Sequence, residues 1–77
     1  MGEKIKLIWD FRGQEAEHFA RHHAIHLREY AEKNSLKFNE TGSEELTPNH
    51  HIAFLVVHQD EMISVRDHLK PHRGQQV

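Results

Sequence analysis

The sequence predicts an α+β domain in which an antiparallel sheet carries two helices on one face. Two segments and the order of their neighbours lead there. From Gln14 to Asn34 (QEAEHFARHHAIHLREYAEKN) apolar residues recur with helical spacing. From His51 to His58 (HIAFLVVH) the chain holds an unbroken apolar run, Ile52 to Val57, the pattern of a central strand covered on both sides. With the weaker patterns around them, the order is strand, helix, strand, strand, helix. At 77 residues the chain makes one domain, 1–77, and buries a core small enough that a second copy is expected to complete it.

Lys4 to Trp9 alternates as a strand, with Ile5, Leu7 and Trp9 on one face and Lys4, Lys6, Ile8 and Asp10 on the other. Asp10-Phe11-Arg12-Gly13 then turns the chain into the first helix, where Glu15 and Glu17 suit the first turn. Ala16, Phe19, Ala20, Leu27, Tyr30 and Ala31 fall within about 60° of one direction on that helix. His23 lies about 20° from the centre of this stripe and His26 flanks it, whereas His18 and His22 fall on the polar side. Ile25 points the opposite way, among charges. Asn34 is placed to end the helix in a left-handed cap.

Ser35 to Thr41 reads as a weaker strand, and Gly42 to Asn49 (GSEELTPN) as the one sustained loop. Asp60 suits the N-cap of a second helix from Glu61 to Lys70, whose buried stripe is Met62, Val65 and Leu69 and whose stop is Pro71. The remainder, 71–77, is a polar tail, either disordered or adding a few ladder bonds.

Composition excludes several functions. The chain has no cysteine, so disulfides, thiolate metal sites and thiol catalysis are out, and a cytoplasmic setting fits. The apolar run in MGEKIKLIWD is too short for a signal peptide or a membrane span. A net charge of −2 with neutral histidines gives no concentrated basic surface for nucleic acid or anionic membrane. With all nine histidines protonated the charge becomes +7, ten basic side chains and nine imidazoliums against twelve carboxylates, so surface charge follows pH strongly. No nucleotide fingerprint, phosphate loop or nucleophile triad is present, and no cofactor is expected.

The element order most economically makes a ferredoxin-like βαββα layer, its final strand short or absent, in which the third strand lies between the first two. Two helices cover one face of such a sheet. The Ile52 to Val57 run needs cover on the other, so a homodimer through the sheet is expected.

Strand-end Asp10 and the later Arg21-His22-His23-Ala24-Ile25-His26-Leu27-Arg28-Glu29-Tyr30 resemble the dimeric α+β barrel superfamily and, distantly, its YCII-related domains. That resemblance implies paired sheets enclosing a pocket served by a His on the first helix and an Asp near the first strand, here His26 and Asp10. The chain departs from the pattern in its missing final strand and extra histidines.

The residues themselves allow three readings. In the inferred topology Asp10, Arg12, His50, His51, His72 and Arg73 gather at one end of the sheet. A carboxylate beside histidines suits proton transfer there, and arginines suit an anionic small molecule. The candidate ligand-binding residues are Asp10, Arg12, His23, His26 and His51; of these, His23, His26 and Asp10 are the catalytic candidates, His23 because a desolvated imidazole is a plausible base. Alternatively, the i,i+4 pairs His18/His22 and His22/His26 share a transition metal, although no Glu stands between them as in HExxH. In the third reading the chain is a non-catalytic regulatory dimer whose histidines tune association with pH.

Overall fold

A computed structural model describes residues 3–38 and 40–77. The elements are β1 (Lys4–Arg12), α1 (Ala16–Lys33), β2 (Glu40–Thr47), β3 (His50–His58), a 3-10 turn (Gln59–Glu61), α2 (Met62–Leu69) and β4 (Arg73–Gln76). The four strands form one sheet in the order β2-β3-β1-β4, and every neighbouring pair is antiparallel.

Strand parity decides which residues meet. Along β1 and β3 the odd-numbered side chains Leu7, Trp9, Ala53, Leu55 and Val57 enter a core shared with Leu27 and Ala31 of α1 and Val65 of α2. Both helices therefore contribute to the same core. Burial of a Leu side chain such as Leu27 or Leu55 contributes about 1.5–3 kcal/mol. Trp9 adds a polar tie, its indole N–H donating to the carbonyl of Leu69 at 3.0 Å, which fixes the last turn of α2 against β1. Ile25 is 57% exposed, as its place on the helix wheel requires.

The even-numbered side chains form the face without helices. Ile8, Ile52 and Val56 are nonetheless buried there, at 1%, 3% and 5% exposure. By register Ile8 lies between Phe54 and Arg73, Ile52 between Asp10 and Glu44, and Val56 between Lys6 and Glu40. The long polar side chains act as cover. Lys6 Nζ stands 4.4 Å from the centre of the Phe54 ring and reaches Glu44 at 2.9 Å; Lys4 pairs with Glu40 at 3.2 Å. Within a single chain, much of the cover that the apolar run demands is thus already present.

Several expectations are corrected. The segment 42–49 is not a loop: most of it is β2, and only Pro48 and Asn49 turn the chain into β3. A central strand needs hydrogen-bonded neighbours on both edges, and that demand overrides the weak strand propensity of Gly, Ser and Glu. The strand expected over 35–41 is displaced accordingly. Ser35 takes a left-handed conformation, φ 52°, residues 36–38 join no strand, and Asn39 lies outside the described residues. Asn34 is not left-handed; it closes α1 by donating its side-chain amide to the Tyr30 carbonyl at 2.9 Å. Asp60 is not the cap of the second helix, because His58 Nδ1 accepts from the Asp60 backbone N–H at 3.1 Å and starts the 3-10 turn. Of the two forms expected for the polar tail it takes the second, adding ladder bonds as β4, a short final strand of four residues on the open edge of β1.

Candidate functional site

The end of β1, the start of β3 and the α2–β4 connection converge on Asp10. Asp10 has the parity of the helix-free face and so do its diagonal neighbours across the two ladders. In the β1–β3 ladder Asp10 pairs with Ile52 and Arg12 with His50; in the β1–β4 ladder Ile8 pairs with Arg73. His50 Nε2 lies 2.7 Å from Asp10 Oδ1. Arg73 donates to both carboxylate oxygens, Nη2 to Oδ1 at 3.0 Å and Nε to Oδ2 at 3.2 Å. One carboxylate thereby joins three adjacent strands.

The backbone of Asp10 is satisfied in an unusual way. Pro71 occupies the stretch where β4 has not yet begun, and the Asp10 N–H donates instead to His72 Nδ1 at 2.8 Å. The backbone N–H of His72 in turn donates to the Ile8 carbonyl at 2.9 Å. His72 thus takes the place of a strand partner, and only with an unprotonated Nδ1 can it accept.

Side chains of Asp10 and His50 are 17% and 16% exposed. The Arg73 guanidinium holds the Asp10 carboxyl below the usual carboxylate range, against the opposing effect of burial and with help from the His50 bond. Exposed Arg12 stands at the register position facing His50. One guanidinium and two imidazoles therefore stand around the carboxylate, with Arg12 two residues further along the same face of β1. Among the described residues no bond engages His50 Nδ1, so the imidazole has one nitrogen oriented by a carboxylate and one free, the arrangement that a general base requires.

The candidates from the sequence fall into three places. Asp10 and Arg12 belong to the helix-free face. His23 and His51 lie on the helix side. The His23 ring is 5.1 Å from that of Trp9 and 5.6 Å from that of Phe11, and its Nε2 is buried without a hydrogen-bond partner. Burial pushes its pKa below the ordinary value, and the neighbouring His26, His72 and His22 add to the effect. His51 is 6% exposed, beside Phe11 in the ladder, with Nε2 3.9 Å from Glu45 Oε1. His26 does not flank the buried stripe: its side chain is 59% exposed on the outer surface of α1.

His23 and His26 are therefore separated from Asp10 by the sheet or by the body of α1. The residues that complete the Asp10 cluster are His50, His72 and Arg73. Parity carried the signal, since an even-numbered residue of β1 meets even-numbered residues of β3.

Two cavities lie on the helix side. A groove of about 360 Å³ between β1, α2 and β4 has Ile5, Leu7, Met62 and Arg66 in its wall. A second of about 310 Å³ separates the end of α1 from α2, beside the Tyr30 Oη to His68 Nδ1 contact of 3.1 Å. Among the described residues no group of three His, Asp or Glu side chains is arranged to hold a metal ion. No described helix is long and apolar enough to cross a membrane. Comparison of the chain with protein families, with curated proteins and with solved structures found no match.

Proposed function

We propose that the chain is a binding module for a small anionic molecule, held on the helix-free face at the end of the sheet by Arg12, Arg73 and His50. The observation that carries this reading is the charge balance around Asp10. Its carboxylate is committed to Arg73 and His50, which leaves Arg12 as a guanidinium that no described side chain neutralises. A carboxylate, or two oxygens of a phosphate, match that donor geometry. The free Nδ1 of His50 adds a donor or a base, according to its protonation.

The resemblance to the dimeric α+β barrels supports the same face. A ferredoxin-like layer in that superfamily pairs its sheet with that of a second copy and encloses a pocket, and Asp10 stands on the helix-free side. In this reading the homodimer closes over the Asp10 cluster from outside.

The test is a titration of isotope-labelled protein with inorganic phosphate and with malonate at matched chloride strength, followed by amide chemical shifts. Shifts confined to Asp10, Arg12, His50 and Arg73, and abolished in Arg12→Gln, are expected. Shifts that chloride reproduces, or that persist unchanged in Arg12→Gln, overturn the anion site. Light scattering at micromolar concentration tests the pairing of copies separately, and a strictly monomeric mass overturns it.

A further inference from the structure

The outer surface of α1 carries a second histidine arrangement, remote from Asp10. His22 and His26 are one helical turn apart, and their Nε2 atoms face each other at 3.1 Å. Two imidazole nitrogens bound to one metal at about 2.0–2.1 Å stand about 2.9 Å apart at a right angle and about 3.4 Å apart at the tetrahedral angle. The observed separation falls between these values. The helix has already brought both nitrogens to the distance that a shared ion needs, so little ordering remains to be done on binding.

The far nitrogen of His26 is also provided for. Its Nδ1 lies 3.6 Å from Glu29 Oε1. A carboxylate there favours the proton on Nδ1 and leaves Nε2 with a free lone pair, the orienting role that carboxylates play behind metal-bound histidines. His18 stacks on His22, with centroids 6.3 Å apart and planes 14° from parallel. This contact restrains the His22 ring without supplying a third ligand.

From this geometry we infer that His22 and His26 form an open, two-nitrogen site for a divalent transition-metal ion of the copper, nickel and zinc class, with Glu29 as its positioning residue. Imidazole donors select this class over magnesium and calcium. With two protein ligands, the remaining coordination positions face solvent. When the ion enters, the His22 ring changes tautomer: its one proton moves, through solvent, from the Nε2 that faces His26 to Nδ1, so that both Nε2 lone pairs meet the ion and no proton is lost. All three side chains are on an exposed face of α1, so substitutions there leave the core intact.

The experiment is calorimetry of the untagged full chain with copper(II), nickel and zinc chlorides, with magnesium chloride as control. One ion per chain is expected, tightest for copper. His22→Ala and His26→Ala are each expected to weaken binding about tenfold or more, and Glu29→Gln by a smaller factor. His50→Ala is expected to bind as the unaltered chain does. The thermal midpoint of the unaltered chain is expected to rise with zinc, and that of His22→Ala to stay fixed. Equal losses from every histidine substitution would mean diffuse surface binding and overturn the site, as would affinity unchanged in both His22→Ala and His26→Ala, or no heat with any of the three ions. The anion titration proposed for Asp10 reads a different face, so either proposal can fail without the other.

Discussion

His50 Nε2 and Asp10 Oδ1 are 2.7 Å apart although their residues are not paired in the ladder, since Asp10 lies opposite Ile52 and His50 opposite Arg12. The bond runs diagonally across the helix-free face. Arg73 completes the connection from the other side, so β3, β1 and β4 share one electrostatic clamp. Replacing the carboxylate removes acceptors from two charged or polar donors at once.

For Asp10→Asn we expect a loss of about 1–3 kcal/mol in unfolding free energy, measured by urea denaturation at neutral pH. Amide exchange at Gly74 to Gln76 is expected to accelerate, because β4 loses its side-chain tie to β1. Arg73→Gln combined with Asp10→Asn is expected to cost less than the sum of the two alone. Because the Asp10 pKa is lowered in the folded chain, its contribution is complete above the unfolded carboxylate value and fades as pH falls through the folded one. Strict additivity would show that the two side chains do not act as a pair.

Gly42 allows the packing of Phe54. A Cβ built at Gly42 would stand 3.0 Å from two atoms of the Phe54 ring, so Gly42→Ala forces the ring off its seat. The expected cost is about 1–3 kcal/mol, shrinking when Phe54→Leu is present as well. The same shift would disturb Lys6 above the ring. An unchanged denaturation midpoint in Gly42→Ala would show that the ring moves freely.

His23 makes stability depend on pH. Its folded pKa is lowered chiefly by burial against Trp9 and Phe11, with His22, His26 and His72 as the titratable groups acting on it. The unfolded chain takes up a proton near about pH 6.5, whereas the folded chain resists it. The contribution is therefore complete above that value and is lost as pH falls toward the folded pKa. His23→Phe keeps an aromatic ring between Trp9 and Phe11 without a charge. It is expected to lose less stability than the unaltered chain between about pH 7.5 and about pH 5.5, read from urea midpoints. Parallel losses in the two proteins would assign the dependence to other groups.

Much of this architecture was legible in the sequence wherever burial imposed a period. The α1 helix and β3 follow from their apolar spacing, and the alternation that marks β1 continues past Trp9 to Arg12, three residues beyond the expected end. What escaped was structure held by backbone pairing alone. In β2, Gly42, Ser43 and Glu44 have loop character and become a strand because β3 offers them an edge. In β4, Arg-Gly-Gln-Gln has no apolar signal at all. The candidate site was half legible for the same reason. Element order alone gathers Asp10, Arg12, His50, His72 and Arg73 at one end of the sheet, while the direct bonds of Arg73 to Asp10 depend on a strand that hydrophobicity does not announce. His26 falls on the helix wheel where a small rotation decides between core and solvent, and the structure turns it outward.

The first and last strands of the described chain are neighbours, and they run in opposite directions. Val77 donates its N–H to the Lys4 carbonyl at 3.2 Å, and the ladder continues inward from Ile5–Gln76 to Ile8–Arg73. A force that draws these two ends apart would load the bonds between β1 and β4 one after another, because each lies across the strands rather than along them. The ladder would open like a zipper, at low tension, and the last part to feel the pull would be Arg73 on Asp10.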